Sequence, residues 1–295
     1  MTNNRRPKTA SLAERTVASL NFFSKWETPL DLQAAKVYRG IRSEAPDFDT
    51  FKLRAPAGSE DRRMVERFFA SFEDAGNLIR AGQMREDLFF DSWYNLPSAW
   101  NRAKPYVLGL RAETHNPKLY EAFEWLAERS ELFWRERETH PPTWKPIESP
   151  EPNVEEKAVF EAFSNHSLPD KEAWEMFDHL QGRAPTFEAF TEAIPAGSPD
   201  FITFDLVMCA YDRAGVLIKN GILHPALLLE SWRSPVEIWE ISEKWVRGLQ
   251  QKSNSTHIYE NVEWLAVFER KFKSQHDEMK NSARRSLFQA DQSDK

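Results

Sequence analysis

The chain has 295 residues and a formal net charge of −7, and 41% of its residues are hydrophobic. This composition excludes a globally basic nucleic-acid-binding protein, and it excludes a largely disordered chain because enough apolar surface is present to bury a core. No apolar run approaches the roughly 20 residues of a membrane span, and no hydrophobic segment follows the basic N-terminal residues, so neither a spanning helix nor a secretory signal is predicted.

Helical periodicity dominates the first half of the chain, with no alternating strand pattern. The predicted helices cover residues 12–26, 30–43, 60–81, 86–93, 98–113 and 116–137. Ser59 is expected to cap the third of these and Gly82 to end it. Gly76 lies within the apolar stripe of that helix, where glycine costs about 1 kcal/mol relative to alanine. A second backbone is therefore expected to approach closely at Gly76.

An internal duplication appears when the chain is compared with itself at an offset of 139 residues. Without a gap, residues 56–127 and 195–266 share 23 identities in 72 positions. Eight of the ten glycines form four pairs at this offset, and Gly215 repeats Gly76. A period of this length is that of a small domain and exceeds the roughly 20–50 residues of a solenoid repeat. The sequence therefore predicts an all-α fold of two tandem, homologous helical bundles.

The domain boundaries follow from the repeat and from composition. We expect a first domain over residues 10–138, a proline-rich linker over 139–152 and a second domain over 153–275. Residues 276–295 are polar and are expected to form a disordered tail. The only cysteine, Cys209, has no disulfide partner in the chain, which fits a cytoplasmic protein.

Motifs for cofactor chemistry are absent from the sequence. There is no glycine-rich phosphate loop and no strained serine elbow. The seven histidines form no pair at metal-ligand spacing, and none aligns with another histidine in the repeat. Cys209 aligns with Ala70 and is interpreted as a small packed residue. We therefore predict no catalytic residue and no cofactor.

Repeated carboxylates offer one chemical alternative. Their members are Glu73, Glu121 and Glu124 in the first copy and Asp212, Glu260 and Glu263 in the second. If they converged, each copy would hold a carboxylate cluster of the kind that helical bundles use for metals. The competing interpretation is structural: Glu121 lies near a helix N-terminus, and a half-buried Glu124 either pairs with an arginine or caps a neighbouring helix.

Repeated tryptophans offer a second alternative, a surface for a partner protein. Tryptophan is enriched at binding hot spots, although core packing is its more common role. The candidate binding residues are Trp93, Trp125, Trp232 and Trp264. Trp100 is expected in the core, whereas Trp125 lies off the main apolar stripe and either packs on a second layer or is exposed.

Several of these motifs resemble a known family. They are the segment 72–82 (FEDAGNLIRAG), Trp100, the pair Asn116-Pro117 and the segment 120–127 (YEAFEWLA). Together they resemble a family of bacterial all-helical proteins catalogued as a domain of unknown function. The resemblance implies a helical fold, and many members follow one or more N-terminal membrane helices. This chain differs because it carries two copies and no predicted membrane helix, and the resemblance supplies no catalytic residue.

Three functions remain open from the sequence. The leading hypothesis is a non-enzymatic protein-binding or regulatory module with an unidentified protein partner. The alternatives are a metal-dependent enzyme built on the carboxylates and a structural subunit of a larger assembly. Nucleic acid is not an expected partner, because basic and acidic residues are interspersed along the helices. Self-association into a homo-oligomer is left open.

Overall fold

A computed structural model describes residues 11–26, 28–93, 95–139, 149 and 151–273. The chain divides into two compact units, Met1–Pro141 and Pro142–Lys295. All regular secondary structure in the described ranges is helical, as the sequence predicts. Within the same ranges, every helix is too short or too polar to cross a lipid bilayer. The predicted tail and most of the predicted linker, residues 140–148 and 150, lie outside the described residues.

The first unit contains seven helices within the described residues. They are α1 (Leu12–Trp26), α2 (Pro29–Glu44), α3 (Phe48–Arg54), α4 (Glu60–Arg80), α5 (Glu86–Ser92), α6 (Leu96–Thr114) and α7 (Glu121–Thr139).

The second unit repeats this order. Its described helices are α8 (Val154–Ser167), α9 (Lys171–Arg183), α10 (Phe187–Ala193), α11 (Pro199–Lys219), α12 (Pro225–Ser231), α13 (Pro235–Ser253) and α14 (260–273). From α10 onward, each helix begins 139 residues after its counterpart in the first unit. The structure therefore confirms the offset found in the sequence.

Local caps fix the ends of the long helices α4 and α11. The Ser59 hydroxyl accepts from the Arg62 N–H at 3.1 Å, and Ser198 does the same one repeat later. Both helices are followed by a glycine in the left-handed region, Gly82 with φ +66° and Gly221 with φ +65°. The predicted cap and stop are confirmed, because each depends on residues within one helical turn.

One short helix was missed from the sequence, and one predicted helix boundary was wrong. The short helix α3 was missed, although Asp47 caps it by accepting from the Thr50 N–H at 2.8 Å. The last helix of the first unit begins at Glu121 and not at Asn116. Residues 117–120 form a separate turn that ends at Tyr120, whose φ of +57° is left-handed and interrupts the helix.

Aromatic side chains fill both cores. In the first unit the Phe72 ring stacks on the Phe123 ring with centroids 4.4 Å apart, which joins α4 to α7. The buried Tyr106 donates its hydroxyl to the Ala45 carbonyl oxygen. One repeat later the buried Trp245 donates its indole N–H to the Ala184 carbonyl at 2.9 Å. A tyrosine in one unit and a tryptophan in the other thus donate to equivalent buried carbonyl groups, and both cores keep this hydrogen bond.

Candidate functional site

The repeated residues gather where the last helix of each unit crosses the long helix. A Cβ atom added at Gly76 would lie 2.5 Å from the Ala122 carbonyl oxygen, and one added at Gly215 would lie 2.6 Å from the Asn261 carbonyl oxygen. Contacts this short with backbone atoms leave no room for a side chain. The close approach predicted at Gly76 is confirmed in both units.

A carboxylate on the long helix holds the start of the last helix. The Glu73 carboxylate accepts from the Phe123 N–H at 2.9 Å, and the Asp212 carboxylate accepts from the Asn261 N–H at 2.9 Å. Each contact satisfies an N–H of the first turn that has no partner inside its own helix. Burial raises the pKa of Glu73, while the backbone N–H groups of Phe123 and Ala122 oppose that rise. These carboxylates act as caps supplied from another helix.

A tyrosine precedes the last helix in each unit. Tyr120 and Tyr259 both adopt left-handed backbone, with φ of +57° and +52°. The Tyr120 hydroxyl lies 3.4 Å from the Glu66 carbonyl oxygen, and the Tyr259 hydroxyl donates to the Asp205 carboxylate. Burial raises the pKa of Tyr120 to about 12. Tyr120 therefore stays protonated near neutral pH, and both tyrosines tie the turn to the long helix.

An arginine bridges Glu124 and Trp100 in the first unit. Arg111 on α6 contacts the Glu124 carboxylate at 2.9 Å, and its guanidinium carbon lies 5.9 Å from the Trp100 ring centroid. Arg111 also donates from Nε to the Leu119 carbonyl oxygen at 2.8 Å. The half-buried state of Glu124 and its pairing with an arginine agree with the structural interpretation from the sequence.

The second unit makes the same bridge from a different turn of the helix. Glu263 and Trp239 keep the repeat positions, but the arginine is Arg247, which aligns with Leu108. Its guanidinium carbon lies 5.1 Å from the Trp239 ring centroid. Gln250, which aligns with Arg111, donates to the Ile258 carbonyl oxygen at 2.9 Å. Two residues in this unit thus perform the two roles that Arg111 combines in the first.

Trp125 and Trp264 are half-buried on the last helices, each beneath a basic side chain. The Arg80 guanidinium carbon lies 5.0 Å from the Trp125 ring centroid, and the Lys219 ammonium lies 5.8 Å from that of Trp264. Arg80 is also 3.7 Å from the exposed Glu121 carboxylate. A cation over the tryptophan face at these distances is an attractive interaction. The arrangement recurs in both units and lies at their surface.

The other two candidate tryptophans pack inside their units. Trp232 is buried and stacks on Phe163 with centroids 5.2 Å apart. Trp93 is half-buried and meets the Phe72 ring edge-on at 5.5 Å. Trp100 lies in the core, as expected. Trp93, Trp125 and Trp264 are each partly buried, whereas Trp232 is buried. Trp125 and Trp264 differ from Trp93 in the basic side chain that lies over each ring.

The six candidate metal-ligating carboxylates each have a separate partner. Glu73 and Asp212 accept from backbone N–H groups, while Glu121, Glu124 and Glu263 contact arginines. Glu260 lies 2.9 Å from the His257 ring. Over the described ranges, no three His, Cys, Asp or Glu side chains come together in a way that would hold a metal ion. The structure does not gather the six into two clusters.

Several buried charged residues were missed from the sequence, and Glu269 is the most deeply buried of them. The Glu269 carboxylate on α14 accepts from the Ser234 hydroxyl at 2.7 Å and from the Val236 N–H at 2.9 Å, and it contacts Lys273 at 2.6 Å. It thereby caps the start of α13. Glu269 aligns with Ser130, so the repeat comparison gave no signal. The sequence pattern that could have indicated its burial is its position four residues after Leu265, on the apolar face of the helix.

Comparison with known proteins agrees with this architecture. A family model described as a domain of unknown function, DUF4760, matches residues 8–130 and again residues 154–267. The chain belongs to this family. The two DUF4760 matches cover one unit each, in accordance with the tandem duplication. Neither a curated protein nor a solved structure matches the chain.

Proposed function

We propose that this DUF4760 protein is a non-enzymatic binding module whose protein partner contacts the outer side of the last helix in each unit. One observation carries the proposal: Trp125 and Trp264 occupy the same repeat position, are half-buried, and each lie beneath a basic side chain. Lys219 also donates to the Asn261 side chain at 3.3 Å, so it has a role at the helix crossing besides its place over Trp264. A surface selected for binding accounts for both the tryptophan and the cation.

The chemistry of this surface suits a protein partner. Tryptophan and arginine are the residues most enriched at binding hot spots, where a flat apolar ring and several N–H donors are available together. A partner side chain placed against Trp125 would exclude water from the Arg80 guanidinium and strengthen its hydrogen bonds. A partner carboxylate is the expected acceptor, because Arg80 is exposed and its contact with Glu121 is long at 3.7 Å.

The state of the repeated carboxylates supports binding over catalysis. A metal-dependent enzyme would require Glu73 to release the Phe123 N–H and Glu124 to release Arg111 before either bound an ion. Each release leaves a partly buried donor without an acceptor, which costs about 1–3 kcal/mol. The metal alternative therefore makes a distinct prediction, namely that added Mn²⁺, Fe²⁺ or Mg²⁺ raises the melting temperature.

Affinity capture with matched variants tests the proposal. We expect the wild-type chain to retain a stoichiometric protein from native extract, and R80Q/K219Q to lose it because both cations over the rings are gone. K104Q/K118Q removes two exposed lysines elsewhere in the first unit and is the control, expected to retain the partner. Circular-dichroism melting of each variant separates lost binding from lost folding. Equal capture by all three chains, or substrate turnover by the purified chain, would contradict the proposal.

A further inference from the structure

The N-terminal helices of the two units carry very different charge. Residues 12–54 contain seven basic and six acidic residues, a net charge of +1. The same window one repeat later, residues 151–193, contains three basic and ten acidic residues, a net charge of −7. Nine of these ten carboxylate residues are exposed. The difference lies at the surface and is not required by the core that the units share.

The difference is sharpest between the equivalent helices α2 and α9. Each carries three like charges spaced three residues apart along one flank. They are Lys36, Arg39 and Arg42 on α2, and Glu172, Glu175 and Asp178 on α9. At the 139-residue offset, Lys36 aligns with Glu175 and Arg39 aligns with Asp178, so the charge is reversed at both positions. Both flanks therefore present the same spacing with opposite sign.

Five of these six charged residues are exposed, and Arg42 is half-buried. Lys36 and Glu172 are exposed and form no ion pair within the part of the chain that the structure describes. Glu175 pairs with Lys171 at 3.2 Å and Asp178 with Arg233 at 2.6 Å. The Lys171–Glu175 pair is fully at the surface, where such contacts contribute little to stability. Arg233 is partly buried and also contacts Glu237 at 2.6 Å, so it keeps a carboxylate partner when Asp178 turns to another cation.

We propose that α2 of one molecule binds α9 of a second copy of this chain. Three residues of α-helix rise about 4.5 Å, so the two rows of charges match step by step. With the helices antiparallel, Lys36 faces Asp178 of the second copy, Arg39 faces Glu175 and Arg42 faces Glu172. In a symmetric dimer, α2 of each molecule would contact α9 of the other, so the same contact would be made twice.

Sedimentation equilibrium of the full chain tests the proposed dimer. Exposed ion pairs are screened by salt, with a Debye length of about 10 Å at 0.1 M and 3 Å at 1 M. The dissociation constant is therefore expected to rise at least about tenfold between 0.05 and 0.5 M NaCl. K36E/R39E and E175K/D178K are each expected to sediment as monomers. An equimolar mixture of the two restores all facing charges and is expected to form a one-to-one heterodimer.

The matched control is K104E/K118E, which changes the net charge by the same amount as K36E/R39E at exposed positions outside α2. It is expected to dimerise like the wild type. A wild-type chain that stays monomeric at low salt would overturn the proposal, as would a dimer unaffected by K36E/R39E. Failure of the mixture to form a heterodimer would also overturn it. This test does not involve Trp125 or Trp264, so it succeeds or fails independently of partner binding there.

Discussion

Replacing Gly76 with alanine tests the crossing between α4 and α7. In an open helix this change stabilises by about 1 kcal/mol, because alanine has the higher helix propensity. At Gly76, however, the new Cβ lies 2.5 Å from the Ala122 carbonyl oxygen, whereas ordinary contact begins at 3.4 Å. The two helices must therefore separate by roughly 0.9 Å, at the level of the Phe72–Phe123 stack. Overpacking of this kind typically costs about 1–3 kcal/mol, so we expect G76A to destabilise the first unit by about 2 kcal/mol.

Gly40 in α2 supplies the matched control, because a Cβ added there meets no atom within 4 Å. G40A is expected to stabilise the same unit by about 0.5–1 kcal/mol. Urea unfolding of both full-length variants, followed by circular dichroism, measures the change in unfolding free energy that each substitution causes in the first unit. A G76A chain as stable as G40A would refute the close approach and the helix pairing that depends on it.

Three further predictions concern the capping and bridging residues. Because burial raises the pKa of Glu73 in the folded unit, the stability that this group provides is full below its unfolded pKa and is lost as pH rises through the folded value. Urea unfolding between pH 4 and pH 7 should therefore show wild type losing stability relative to E73Q, and an unchanged difference would contradict this. R111Q should lower the free energy of unfolding of the first unit by about 1–2 kcal/mol. Adding L108R to R111Q should recover at least half of this loss, because an arginine at that position bridges the tryptophan and the glutamate in the second unit. Additive effects of the two substitutions in a double-mutant cycle would refute this coupling. E269A should lower the unfolding free energy of the second unit by about 2–4 kcal/mol, because the Ser234 hydroxyl and an N–H lose their acceptor; a loss below 1 kcal/mol would contradict the cap.

The fold was predictable because the residues that begin and end its helices act locally, and because they occur in both copies of the repeat. Ser59 and Gly82 define the ends of α4 within one turn of chain, and the second copy repeats both signals at the 139-residue offset. The start of α7 was not predictable in the same way. Asn116 and Pro117 are good helix-initiating residues, and the interruption at Tyr120 depends on a hydroxyl contact with a distant helix.

The contacts at the site were predictable in type but not in partner. The half-buried position of Glu124 required a polar partner, but the sequence left an arginine and a helix N-terminus both open and did not identify Arg111. The repeat comparison did not reveal the equivalent pair in the second unit, because Arg247 aligns with Leu108. The contact between Arg247 and Glu263 is seen only in the folded structure. The capping role of Glu73 was likewise missed, since its acceptor geometry depends on a helix 50 residues later.

We propose that equivalent surfaces around Trp125 and Trp264 bind a protein partner. Site-specific photocrosslinking in native cells tests it most directly, with benzoylphenylalanine placed at position 125, at position 264, or at the exposed control position Lys104 on α6. We expect one adduct of the same partner mass at 125 and at 264, and none at 104. No adduct at either tryptophan position, or equal adducts at all three, would contradict it.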